Sequence, residues 1–242
     1  MCSHSPAAAC RQHRTAASAS RFAELVKKTG TSATLAEKKR RAKARKRLLG
    51  AIREHRRQAR TVGLRAVALT LTFGDDGEFY SRHISDFLDR VRKALKRRSH
   101  AVLPYTWVLE RGNRLHYHLM LWLPRDFVLD KRKLEQWWPW GTTWTACCRH
   151  VKRWGRYMAK FECVGRIPKA ARLFGYGGLD ESGKTAVQRA GLPRWLQALL
   201  PRNGRARRFA GGGWANTETG ELYASPYVWT PGGWVTRHAA AD

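Results

Sequence analysis

The nine residues Leu115–Leu123, LHYHLMLWL, constrain this chain more than any other stretch. They are strongly apolar, follow a turn-like Arg-Gly-Asn and precede Pro124, which is the pattern of a β-strand. Side chains alternate across a strand, so His116 and His118 share one face, with Cα atoms about 7 Å apart. Leu115, Tyr117, Leu119, Leu121 and Leu123 take the other face, which is greasy enough to pack on a core. Two imidazoles on one face of a rigid strand can grip a divalent metal. The competing reading is a pair of surface histidines that happen to alternate.

A third ligand is available next door. Tyr105 to Glu110, YTWVLE, is strand-like and runs into Arg111-Gly112-Asn113-Arg114, a short loop of the hairpin kind. Such a hairpin sets Glu110 across from His116, about 5 Å away, within reach of a shared metal. Two histidines and a carboxylate suit Mg²⁺, Mn²⁺ or Zn²⁺, and the oxygen ligand with the remaining open positions favours the harder ions. Alternatively Glu110 faces water or pairs with Arg111 or Arg114.

Charge narrows the class of partner. The 242 residues carry a net charge of +29, and the pI is about 11.1. Such a field calls for a polyanion, most often nucleic acid. A membrane-surface role fits less well, because no basic helix with a clean apolar face stands out. No apolar run approaches the length of a membrane span. The N-terminus lacks the apolar stretch of a secretory signal. The five cysteines have no paired spacing, which reads as free thiols in a reducing cytoplasm.

In chain order, residues 1 to about 35 lack periodicity, and disorder is expected there. Glu37 to Arg60 holds twelve Lys/Arg against two acids and can form a helix, read here as a phosphate-contacting arm rather than a merely solvated tail. Arg65–Phe73 is a strand, Gly74 to Gly77 a turn, and a helix follows to about Arg98 with Phe87, Leu88, Val91, Ala94 and Leu95 at helical spacing. After the two hairpin strands, Val128 to Trp138 reads as a helix and Thr142 to His150 as a strand. The order β-α-β-β-α-β predicts an α+β, ferredoxin-like (split βαβ) antiparallel sheet with the His-x-His strand central, helices on one face and the histidine face open. Val151 to Cys163 reads as a further helix that places Tyr157 and Lys160 at i and i+3. Alone, Tyr-x-x-Lys is a weak signal, and Tyr157 could equally be a half-buried aromatic and Lys160 a surface cation.

Taken in order, the strand carrying Thr70 and Thr72, the hydrophobic-flanked His116-Tyr117-His118 and the helix with Tyr157-Met158-Ala159-Lys160 resemble the HUH endonuclease superfamily. The likeness is to the rolling-circle replication initiators (Rep) of filamentous phages and plasmids, over roughly residues 65 to 165. ARLFGYGGL, residues 171–179, also resembles a segment that follows the tyrosine helix in phage members. The resemblance implies His116 and His118 as metal ligands with Glu110 as a third. It implies Mg²⁺ or Mn²⁺ as cofactor, Tyr157 as nucleophile and Lys160 as an assisting catalytic cation. It implies nicking of single-stranded DNA or a hairpin origin through a 5′-phosphotyrosine and a free 3′-hydroxyl. A host helicase and polymerase in the bacterial cytoplasm would be the partners, with no membrane and no small-molecule substrate. Where some members carry a second tyrosine one turn on, this chain has Phe161, so the resemblance is to a single-tyrosine enzyme. The expected division is a basic arm over residues 1–62, a nuclease domain over 63–200 and a Gly/Trp-rich extension over 201–242.

Gly178 to Thr185, GLDESGKT, matches the phosphate-cradling G-x-x-x-x-G-K-T pattern. Asp180 and Glu181 would put negative charge inside a phosphate nest, so the match is rejected in favour of a loop leading into a helix around Ala186 to Leu200, broken by Pro193. Tyr223, Tyr227, Trp229 and Trp234 belong to short strands or to base-stacking surfaces. The remaining alternatives are a transposase or plasmid relaxase of the same chemistry, and a non-catalytic nucleic-acid-binding module on an RRM-like sheet.

Overall fold

Alternation of apolar and polar residues builds a five-stranded sheet, seen in a computed structural model that describes residues 35–160, 167–168, 171–209, 213–230 and 233–236. The chain clusters into two units, Met1–Ala42 and Lys43–Asp242, and the packing below concerns the second. Its elements are helix α1 (Leu35–Thr61, begun in the first unit), β1 (Arg65–Phe73), α2 (His83–Lys96), β2 (Tyr105–Arg111), β3 (Leu115–Leu123), α3 (Lys131–Trp137), β4 (Gly141–Cys147), α4 (Val151–Met158), β5 (Phe174–Gly177), α5 (Glu181–Ala190) and α6 (Arg194–Leu199). Short strands β6 (Ala206–Arg208), β7 (Trp214–Asn216) and β8 (Leu222–Tyr223) form a second sheet, and β9 (Tyr227–Thr230) pairs with β10 (Gly233–Thr236).

The large sheet has the order β4-β1-β3-β2-β5, antiparallel throughout. Its first four strands are the split βαβ arrangement expected from the sequence, with β5 from the ARLFGYGGL segment added at the β2 edge. Both strands bounding the histidine motif fall where their alternation puts them, and β3 spans the nine predicted residues.

One face carries Val67, Leu69, Leu71 and Phe73 of β1 with the odd-numbered residues of β3. Phe87, Leu88, Val91 and Leu95 of α2 and Leu134 of α3 close over them. Helix α3 starts later than expected because Asp130 accepts a hydrogen bond from the Lys133 N–H and caps it. Strand β4 ends at Cys147 instead of His150, where the chain turns into α4.

The other face is not open along its whole length, contrary to the sequence reading. Helices α1 and α4 cover its far end, where Val108, Met120 and Trp122 of the sheet meet Leu48, Ile52, Ala59, Met158 and Ala159. Each large apolar side chain buried there contributes about 1.5–3 kcal/mol by leaving water. The basic stretch is therefore no free arm in its second half. His55 is fully buried there, its Nε2 2.9 Å from the Gly177 carbonyl and its Nδ1 3.2 Å from Thr106 Oγ1, with its ring against Trp122. Burial pushes its pKa down to about 4.

The segment around Pro193 forms two helices, with Pro193 at the start of the second. No helix among the described residues is long and apolar enough to cross a membrane. The disorder expected over residues 1–35 falls, Leu35 aside, outside the described residues. So do Phe161 and the end of the helix expected to reach Cys163.

Candidate metal centre and tyrosine site

Pairing across the sheet assembles the site. Glu110 of β2 lies opposite His116 of β3, and Thr70 of β1 lies opposite His118. Cross-strand partners share a face, so the three sequence-predicted ligands converge on the end of the sheet that α1 and α4 leave uncovered. Glu110 and His118 are buried and His116 is half-buried.

The ring nitrogens are sorted by their partners. His116 Nδ1 is 2.9 Å from the Arg114 carbonyl, which only accepts, so Nδ1 carries the proton and Nε2 is left with its lone pair. His118 Nδ1 is 3.1 Å from Thr70 Oγ1, and a proton there likewise leaves Nε2 as the acceptor. Both Nε2 atoms face Glu110 Oε2, at 4.0 Å from His116 and 3.6 Å from His118. Burial, and then the neighbouring His116, push the His118 pKa down to about 4, so its imidazole is neutral near pH 7.

This donor set fits a divalent cation. The three ligand atoms lie within 4.8 Å of one another, and they form the one such cluster of His, Cys, Asp and Glu among the described residues. Separations of 3.6 and 4.0 Å are within the span of two ligands each about 2.1 Å from one ion. Asp76, which the sequence reading treated as a turn residue only, holds the hairpin in register: its carboxylate accepts from the Leu115 N–H at 2.7 Å and from Arg111 at 2.5 Å.

Tyr157 reaches this centre from α4. Its hydroxyl oxygen is 3.4 Å from His118 Nε2, and the residue is 42% exposed. Trp154, one turn earlier, stacks on it at 5.2 Å and stands edge-on to His118 at 5.5 Å, while donating its indole N–H toward the Leu119 carbonyl. Thus Trp154 fixes the direction of the tyrosine ring. At the middle of α4, Gly155 lets the helix lie against Ile52 of α1: a Cβ there would sit 3.0 Å from Ile52 Cδ1. Lys160 lies just past the helix end, its Nζ 6.0 Å from the centre of the Tyr157 ring.

The structure thus brings together Glu110, His116, His118 and Tyr157, with Lys160 beside the tyrosine. Sequence reasoning noticed Thr70 and Trp154 but assigned them no contact. The cross-strand register gives the signal for Thr70, and an i, i+3 aromatic pair gives it for Trp154. The G-x-x-x-x-G-K-T match does not build a phosphate nest. Asp180 accepts the Gly183 N–H at 2.6 Å and pairs with Arg57, so a carboxylate of the chain occupies the place of a phosphate.

Residues 66–162, from β1 to just past the tyrosine helix, match a family model of replication-associated proteins, named for ORF2. No curated protein and no solved structure matches the chain. The family match supports a replication-associated protein that binds DNA.

Proposed function

We propose that the chain is a metal-dependent single-strand DNA endonuclease and strand transferase of the HUH type, which starts rolling-circle replication by nicking an origin. The observation that carries this reading is the 3.4 Å approach of the Tyr157 hydroxyl to His118 Nε2, beside Glu110 and His116. A nucleophile and a candidate cation site at that distance can address one phosphate. The family match and the net charge of +29 favour a nucleic-acid backbone as the substrate.

Glu110, His116 and His118 would hold Mg²⁺ or Mn²⁺, which polarises the scissile phosphate and stabilises the charge developing on its oxygens. Thr70 and the Arg114 carbonyl keep both Nε2 atoms directed at that position. Trp154 holds the Tyr157 ring so that its oxygen points inward. The Tyr157 oxygen attacks phosphorus in line; the P–O3′ bond breaks, and the leaving oxygen takes up a proton as a free 3′-hydroxyl. The phosphoryl group stays on Tyr157 as a 5′-phosphotyrosine, which conserves the bond for rejoining. Lys160 offsets phosphate charge beside the phenol. Unwinding and synthesis fall to a partner helicase and polymerase in the cytoplasm of a bacterial host.

A labelled single-stranded oligonucleotide incubated with the protein and Mn²⁺, then run on a denaturing gel, tests this. A metal-dependent covalent band that disappears in His116→Ala and His118→Ala is expected. Tight binding without any covalent band would favour the non-catalytic reading instead.

A further inference from the structure

Beside the tyrosine helix lies a concave groove of about 560 Å³. It is lined by Arg56 of α1 and by Arg149, His150, Val151, Lys152, Arg153 and Arg156 at the start of α4 and along it. Five of the seven lining residues are permanent cations and none is an acid. None of the five makes a side-chain ion pair among the described residues, although Arg53 and Arg57 on either side of Arg56 do. Cations gathered in one concavity repel one another, and the concave shape concentrates their field. The described residues supply these five with no counter-charge, so the groove is suited to an anion from outside. Arg153 precedes Tyr157 by one helical turn and Arg156 is its neighbour in sequence, so the groove ends at the nucleophile.

A second feature selects the kind of polyanion. Trp144 of β4 is 55% exposed and lies opposite Thr70, whose hydroxyl meets His118. Cross-strand partners share a face, so this indole stands on the site face of the sheet, two strands from the histidines. A cationic groove together with an exposed aromatic is the combination that holds a single strand, whose bases are free to stack; a duplex has none to offer.

Resting on the nuclease reading, we infer that this groove binds consecutive backbone phosphates of the single-stranded DNA next to the scissile bond, with a nearby base stacked on Trp144. Its role is to feed the strand to Tyr157.

The test is binding of a fluorescent single-stranded oligonucleotide and a duplex of equal length over a salt series, without divalent metal. The full chain is compared with Arg149→Gln/Arg153→Gln/Arg156→Gln and, separately, Trp144→Ala. These side chains are exposed, and thermal melts check that the folds match. For the triple variant, the slope of log affinity against log salt on single strands should flatten by about 2, the share of three phosphates. Trp144→Ala should weaken single-strand binding about tenfold and leave the duplex unchanged. Unchanged slope and affinity in the triple variant would overturn the groove assignment, and equal losses on single strand and duplex would overturn its selectivity. Because no cleavage is read, failure of the wild type to form a covalent adduct would refute the nuclease reading without touching this comparison.

Discussion

Thr70 Oγ1 lies 3.1 Å from His118 Nδ1, across the β1–β3 pairing that sets the two residues opposite each other. The hydroxyl therefore governs which nitrogen of His118 faces Glu110. A Thr70→Val variant keeps the shape and removes that partner. Mn²⁺ affinity, measured by calorimetry on the full chain, should fall about 10- to 100-fold, as for other lost partners of metal-ligating histidines. Unchanged affinity would show that burial alone orients the ring.

Tyr157 is the one tyrosine among the described residues whose hydroxyl meets the histidine cluster. A Tyr157→Phe change keeps the stacking with Trp154 and deletes the oxygen. Binding of single-stranded DNA and the melting temperature should stay the same while covalent capture vanishes. Mass spectrometry of the digested wild-type adduct should find the nucleotide on the Tyr157 peptide. An adduct on Tyr176 or Tyr117, or one that persists in the variant, would refute the assignment.

The strands are legible in the sequence because a period of two, with polar residues only at His116 and His118, leaves no other fold for Leu115–Leu123. The ligand trio follows from the hairpin register alone. Helix α1 is harder. Twelve cations between Glu37 and Arg60 conceal the stripe of Leu48, Ala51 or Ile52, His55 and Ala59, whose helical spacing marks a buried face. The approach of Tyr157 to His118 is beyond sequence, because it depends on how α4 lies over the sheet, and that is fixed by Gly155 against Ile52.

That contact is itself testable. An alanine at Gly155 places its Cβ 3.0 Å from Ile52 Cδ1 and 3.3 Å from Cγ2, closer than carbon atoms pack. The helix must then shift by a few tenths of an ångström and carry Tyr157 away from His118. Single-turnover adduct formation at saturating DNA should slow about tenfold, since small misplacements of a nucleophile are costly. Adding Ile52→Val removes Cδ1 and should restore most of the rate. A Gly155→Ala protein as fast as wild type would mean that Ile52 yields instead of the helix.

Deletion of residues 1–60 should abolish the fold rather than merely weaken DNA binding. It strips Leu48, Ala51, Ile52, His55 and Ala59 from beneath the sheet. A single large-to-small change at such a site costs about 2–5 kcal/mol, against a total stability of roughly 5–15 kcal/mol for a domain. Circular dichroism should show no cooperative melt. A cooperative melt close to that of the full chain would mean that α1 is dispensable after all.

His55 gives the stability its pH dependence. Its pKa falls from 6.5 to about 4 on folding, because burial disfavours the charged ring more than the Gly177 carbonyl favours it. Between those values the unfolded chain binds a proton that the folded chain refuses, so stability rises with pH from about 4 to 6.5 and is level above. A shift of that size corresponds to about 3 kcal/mol. Since His118 is lowered in the same direction, the wild-type curve alone does not isolate His55. A His55→Gln variant does, because the amide can donate to Gly177 and accept from Thr106 while staying neutral at every pH. Urea unfolding at a series of pH values should give the wild type the steeper rise across this window. Parallel curves for the two proteins would show that His55 is protonated as readily folded as unfolded, and hence that the face beneath α1 admits water.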